Sequence, residues 1–175
     1  MKNIFNYILK KDRQLLYIIN NKFKCKFFDL FMPYITLLGG VVFTILLPLL
    51  LISIGKDRTR LLGIEIIFSL AISNLFVQLI KRKTSRLRPY DILENINNFN
   101  MKLKDHSFPS GHTTATFSIA TVLAMNMQIS ILGISSIALT VGVSRIYLGV
   151  HYPSDVAVGM VLGSITSFLI HPYFI

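Results

Sequence analysis

Three short stretches hold the residues of this 175-residue chain that could do chemistry. The first is Lys81, then six residues, then Arg88-Pro89; the second is Pro109-Ser110-Gly111-His112. The third is Ser144-Arg145, then five residues, then His151, with Asp155 four residues further on. These residue types suit the transfer of a phosphoryl group, which passes through a state with charge spread over three equatorial oxygens. Lys81, Arg88 and Arg145 supply compensating charge, the two arginines as planar forks that match phosphate oxygens. Ser110 and the backbone N–H groups of Gly111 and His112, at the start of a helix, add neutral donors aided by the helix dipole. Pro109 stops any preceding helix, and Gly111 lets the backbone come close to a phosphate.

Pro153 between His151 and Asp155 fits the first position of a helix. A carboxylate on that first turn accepts a hydrogen bond from the imidazole and fixes its tautomer, leaving the other ring nitrogen free to attack phosphorus. His151 is then the nucleophile, and His112 protonates the leaving oxygen and later activates water. The scheme needs no metal and no cofactor, because the cations already neutralise the phosphoryl group. Taken singly, each stretch has a plainer reading: a basic anchor beside a membrane span, a capped turn, or a structural histidine–carboxylate pair. Their conjunction points to one composite site.

The elements that must position these residues are membrane helices. The chain is 53% hydrophobic, with a mean hydropathy of +0.60 and a charged fraction of 15%, against about 25% for soluble domains. Its formal charge of +10 suits anionic headgroups or a phosphorylated substrate. Nucleic acid is a poor partner, since the basic residues sit beside hydrophobic segments rather than on a separate folded reader. Cys25 is the only cysteine, which excludes an intrachain disulfide. Lys10, Lys11, Asp12 and Arg13 interrupt the apolar residues of 1–26, so no cleavable signal peptide is expected.

Hydropathy predicts an all-α, polytopic helix bundle of a single domain, 1–175, with five spans at 31–54, 61–80, 110–127, 129–147 and 153–170. Residues 1–28 read as an amphipathic interfacial helix, with a sixth span there as the costlier alternative. The asparagine-rich stretch 81–111 is a loop too polar for a membrane interior and long enough to be functional. Gly159 and Gly163 form a small-residue pair for helix packing. Five crossings put all three motifs on one face. Glu65, Asn74 and Gln78 interrupt the second span and are expected to meet other helices. Tyr90, Tyr147 and Tyr152 are expected at headgroup depth, while Asp105 and His106 read as solvated loop residues and His171 as interfacial.

The three motifs in order resemble the signature of the type 2 phosphatidic acid phosphatase superfamily, best over 61–163. The resemblance implies metal-independent hydrolysis of a membrane lipid phosphate through a phosphohistidine on His151. It makes Asp155 the orienting partner, His112 the acid/base, and Lys81, Arg88, Ser110, Gly111 and Arg145 the phosphate ligands. Among small bacterial members it is similar to undecaprenyl-diphosphate phosphatases, which implies a plasma-membrane enzyme with its site on the outer face. That orientation leaves only Lys56, Arg58 and Arg60 inside, against the positive-inside tendency, so a cytoplasmic site is the alternative. A lipid phosphotransferase would use the same residues. A non-catalytic transporter or assembly protein is the reading from another class, but it would place its polar residues near the midplane.

Overall fold

A computed structural model describes residues 2–127 and 130–174. Among them there is no β-strand, and the chain runs as eight α-helices with short 3-10 and π turns: α1 (Lys2–Tyr17), α2 (Lys26–Ile35), α3 (Val41–Ile54), α4 (Asp57–Thr84), α5 (Pro89–Ile92), α6 (Gly111–Asn126), α7 (Ile131–Tyr147) and α8 (Pro153–Ile170). The stretches Asp57–Ile92 and Pro153–Tyr173 are long and apolar enough to cross a membrane, and the bent pair Lys26–Gly39 with Val41–Ile54 makes a third candidate. Helices α6 and α7 have 16 and 17 residues, about 24–26 Å at 1.5 Å per residue. They are shorter than the roughly 30 Å hydrocarbon layer. The predicted start of the fourth span, Ile129, lies outside the described residues.

Local chemistry sets the helix ends that matter. Ser110 caps α6, its Oγ accepting from the Thr113 N–H at 3.4 Å, and Ser130 caps α7 through the Gly133 N–H at 3.3 Å. At α8, Pro153 begins the helix and Asp155 reaches back to accept from the Tyr152 N–H at 2.8 Å. Helix α4 runs past the predicted end at Ile80 to Thr84 and closes on Ser85 in the left-handed region, φ 45°.

The first predicted span is not continuous. Its two halves meet at 51°, broken by a 3-10 turn, Thr36–Gly39, and an extended Gly40. A Cβ on Gly39 would lie 2.9 Å from His112 Cβ, so the break lets the chain press against α6. The predicted amphipathic segment is helical over Lys2–Tyr17 and packs on the bundle through its last turns. Leu16 of α1 is buried against Ile146, Tyr152 and Val156, and Asp12 is buried with it.

Helix α6 is the most enclosed element, lying among α4, α7 and α8. Hydroxyls join the helices inside: Ser118 Oγ donates to Ser73 Oγ at 3.1 Å, and Ser167 Oγ donates to the Ser118 carbonyl at 3.1 Å. Side chains such as Val42, Leu132, Phe168 and Leu169 stay exposed on the outer faces, the surface a bundle presents to lipid. Far from the three motifs, Glu65 is held by His171 at 2.9 Å and Asn126 at 2.8 Å, the helix-to-helix bonding expected of Glu65.

The small-residue pair on α8 works by close approach, with the ideal Cβ position of Gly163 within van der Waals distance of the Thr114 carbonyl and 3.2 Å from Phe117 Cβ. Gly163→Leu is expected to prise α8 from α6 and destabilise the protein by about 1–3 kcal/mol, read as a lower thermal midpoint in detergent. An unchanged midpoint would mean that the α6–α8 contact is not tight.

Candidate active site

Lys81, Arg88, Gly111, His112, Arg145 and His151 come together on the walls of one cavity of about 510 Å³. Each arrives on a different device. Lys81 lies on the last turns of α4 and Arg88 just before α5; Gly111 and His112 begin α6, Arg145 ends α7, and His151 precedes α8. Three motifs separated by up to 70 positions in sequence thus occupy one end of the bundle.

His151 is buried, and Arg88 Nη1 lies 3.3 Å from its Nε2. A guanidinium only donates, so this contact leaves Nε2 unprotonated and puts the ring proton on Nδ1, facing Asp155. The Nδ1–Asp155 Oδ2 separation is 3.5 Å, a close approach rather than a formed hydrogen bond. Burial, reinforced by the charge of Arg145 and Arg88 and only partly opposed by Asp155, holds the His151 imidazole down at about 4. The ring is therefore neutral at physiological pH.

Asp155 has no exposed surface and is heavily subscribed. Its Oδ2 accepts from Ser107 Oγ at 2.5 Å and from the Tyr152 N–H at 2.8 Å, while its Oδ1 pairs with Arg86 Nη1 at 2.6 Å. Arg86 in turn pairs with Asp12 Oδ2 at 2.7 Å, and Asp12 accepts from the Ser154 N–H at 2.8 Å and from its hydroxyl at 2.5 Å. The Arg86 guanidinium also lies over the Tyr152 ring at 4.0 Å. The amino-terminal helix is thereby wired to the carboxylate behind His151.

Arg88 has little freedom: it donates to the carbonyls of Val150 (2.7 Å) and Asp105 (3.0 Å) and to Asp105 Oδ1 (2.6 Å). Arg145 donates to Thr36 Oγ1 at 2.9 Å, whereas its Nε has no partner and is buried. Asp105 bridges Lys81 Nζ at 2.5 Å and Arg88. Burial alone would raise Asp105, but the Lys81 and Arg88 partners outweigh it and hold the carboxyl at about 2.

Ser110 sits behind this wall. It is fully buried, is absent from the cavity lining, and its Oγ accepts from Thr113 Oγ1 at 2.9 Å, so its placement is that of a helix cap. Asp105, expected as a solvated loop residue, is exposed and also ion-paired with Lys81 and Arg88. Tyr147 and Tyr152 are buried in the protein rather than exposed as aromatic anchors; the Tyr147 hydroxyl donates to Asp29 at 2.7 Å. The residues that sequence reasoning missed are Asp12, Thr36, Gly39, Arg86, Asp105 and Ser107. Gly39-Gly40 was a visible signal inside an apolar run, and Arg86 lay within the basic cluster, but nothing local marked Asp12 as a partner.

Residues 62–174 match the model of the PAP2 superfamily, and the chain belongs to that superfamily. The structure resembles that of Aquifex aeolicus LpxE, with a TM-score of 0.79, 30% identity, and coverage of 91% of this chain and 94% of that one. It also resembles a transmembrane PAP2-type phosphatidylglycerolphosphate phosphatase from Bacillus subtilis, with a TM-score of 0.80, 25% identity, and coverage of 96% and 86%. In sequence it is 34% identical over 125 residues to an undecaprenyl-diphosphatase of Sulfolobus acidocaldarius, covering 70% of this chain and 60% of that protein. It is 29% identical over 140 residues to the bacitracin transport permease protein BcrC of Bacillus licheniformis, covering 80% and 65%. The chain thus spans less than two thirds of the length of these two relatives. Its apolar helices and the transmembrane B. subtilis structure together mark it as a membrane-embedded protein.

The depressed His151 has a stability consequence. The unfolded chain takes up a proton near 6.5 and the folded one near 4, so the unfolded state binds more protons in between. The contribution of neutral His151 is complete above 6.5 and is lost as pH falls towards 4. Thermal midpoints of wild type should drop more steeply across that window than those of His151→Gln; equal slopes would mean that His151 titrates normally.

Proposed function

We propose that this protein hydrolyses the terminal phosphate of a membrane lipid, with undecaprenyl diphosphate or a closely related lipid phosphate as the preferred substrate. The observation that carries this reading is the buried His151, its Nε2 3.3 Å from Arg88, on the wall of a cavity shared by Arg88, Arg145, Lys81 and His112. That cavity continues into an apolar groove between α3 and α4, lined by residues such as Ile45, Leu49, Ile67 and Leu70. A soluble phosphate ester would not need the groove; a lipid chain fits it.

In the mechanism, His151 Nε2 attacks phosphorus in line with the leaving oxygen, forming an N–P bond as the P–O bond breaks. His112 supplies the proton to the leaving oxygen, then takes one from the water that hydrolyses the phosphohistidine. Arg145, with its unpartnered Nε, and Lys81 hold the equatorial oxygens, and the Gly111 N–H at the start of α6 adds a neutral donor. The Asp105 carboxylate occupies Lys81 and Arg88 much as two phosphate oxygens would, so substrate takes over these donors on binding. Asp155 steadies the imidazole and balances the cation that forms on attack. No metal enters this scheme.

The reading covers one membrane-embedded domain, 1–175, with 81–111 as its active-site loop, and includes α6 and α7 as crossings to give five spans. It puts the site at the outer face of the plasma membrane. The loop-bearing end carries most of the positive charge, however, and accessibility labelling of a cysteine placed at Asn98 would reverse the orientation if it reacted only from the cytoplasmic side.

Phosphate release by the full chain in detergent, with chelator present, should be measurable from undecaprenyl diphosphate. His151→Ala should abolish it, and Asp155→Asn should lower kcat about 10²-fold or more with KM little changed. Full activity in His151→Ala would remove it as the nucleophile, and loss of wild-type activity in chelator would reveal a metal.

A further inference from the structure

The groove between α3 and α4 is not uniformly apolar. Asn74 and Gln78 both line it and both are exposed, although they lie within the candidate span Asp57–Ile92. Among the described residues their side chains hydrogen-bond only each other, Gln78 Nε2 to Asn74 Oδ1 at a long 3.4 Å. This differs from the sequence expectation that they would meet other helices. An amide facing hydrocarbon without a strong partner is unfavourable, so two of them on one helix face call for a polar occupant.

Register on α4 says where that occupant lies. Gln78 is one turn and Asn74 two turns from Lys81 on the same face, about 5 Å and 11 Å along the axis. Beyond them on that face come Ala71, Leu70 and Ile67. The order along the groove is therefore cation, amide, amide, then hydrocarbon wall. A lipid monophosphate would turn apolar where the amides begin. A lipid diphosphate would not, because its inner phosphate lies one link beyond the terminal one.

From this we infer that Gln78, supported by Asn74, donates to the inner phosphate of a lipid diphosphate and so selects diphosphates over monophosphates with the same chain. The inference rests on the hydrolase reading above and specifies its substrate class. The chemistry favours an amide over a cation at this place. Cleavage of the terminal P–O–P link leaves the inner phosphate on the lipid as the departing product, and a neutral donor orients it without the ion pair that would hold it back. The amides also remain within the groove without adding a charge to the span.

The test compares farnesyl diphosphate with farnesyl monophosphate, which share one chain, using the detergent-purified full chain. For wild type, Gln78→Leu and Asn74→Leu, phosphate release is followed with His151→Ala as the blank, and thermal midpoints confirm that each variant is folded. The expected result is that Gln78→Leu lowers kcat/KM for the diphosphate about tenfold more than for the monophosphate, with a smaller shift in the same direction for Asn74→Leu. Turnover in which both substrates fall equally, or neither changes, overturns this inference alone. Wild type that releases phosphate from neither ester overturns the hydrolase reading and this inference with it.

Discussion

Positive charge cannot stand uncompensated at the end of an apolar bundle, and much of the site's architecture follows from that constraint. Lys81, Arg88 and Arg145 are all buried around one cavity, where mutual repulsion is screened far less than in water. Asp105 answers Lys81 and Arg88, and Arg86 is shared between Asp155 and Asp12. Among the described residues Arg145 pairs with no carboxylate and donates to Thr36, leaving its Nε without a partner. A phosphate oxyanion placed there supplies the missing charge.

The second consequence concerns the peripheral segments. In the amino-terminal segment Asp12 completes a chain of ion pairs ending on Asp155, and Asn20 accepts from the Asn97 N–H and donates to the Tyr147 carbonyl. Gly149, with φ +66°, lies so close to Ile96 that a side chain there would collide with the loop. Thus α1, the loop after α5 and the turn before α8 are fastened together around His151. Imidazole orientation depends less on a single Asp155 contact, 3.5 Å long, than on the rigidity of everything holding Asp155.

The sequence made the bundle and the grouping of the motifs legible, because hydropathy and short-range spacing are local properties. Helix ends were readable at Ser110 and Pro153, where caps announce themselves. The break at 36–40 was harder: two glycines in an apolar run look like packing residues until the chain presses on His112. Composition shows Asp12 as a break in an apolar stretch and Asp105 as a solvated loop charge, and it singles out nothing at Arg86. Their roles come from pairings 74 and 24 positions apart in the chain, which no local pattern encodes. Ser110 stands in a motif as a candidate phosphate donor and also caps α6, its Oγ accepting from Thr113.

The central claim is that a tetrahedral oxyanion seats on His151 Nε2 in the space that Lys81, Arg88 and Arg145 surround. A structure of the full chain soaked with orthovanadate addresses it most directly. The account predicts vanadium bonded to His151 Nε2, vanadate oxygens on Arg145 Nε and Lys81 Nζ, and the Asp105 carboxylate drawn off Lys81. Vanadate bound elsewhere, or an Asp105 that still bridges Lys81 and Arg88 with His151 unligated, would contradict it.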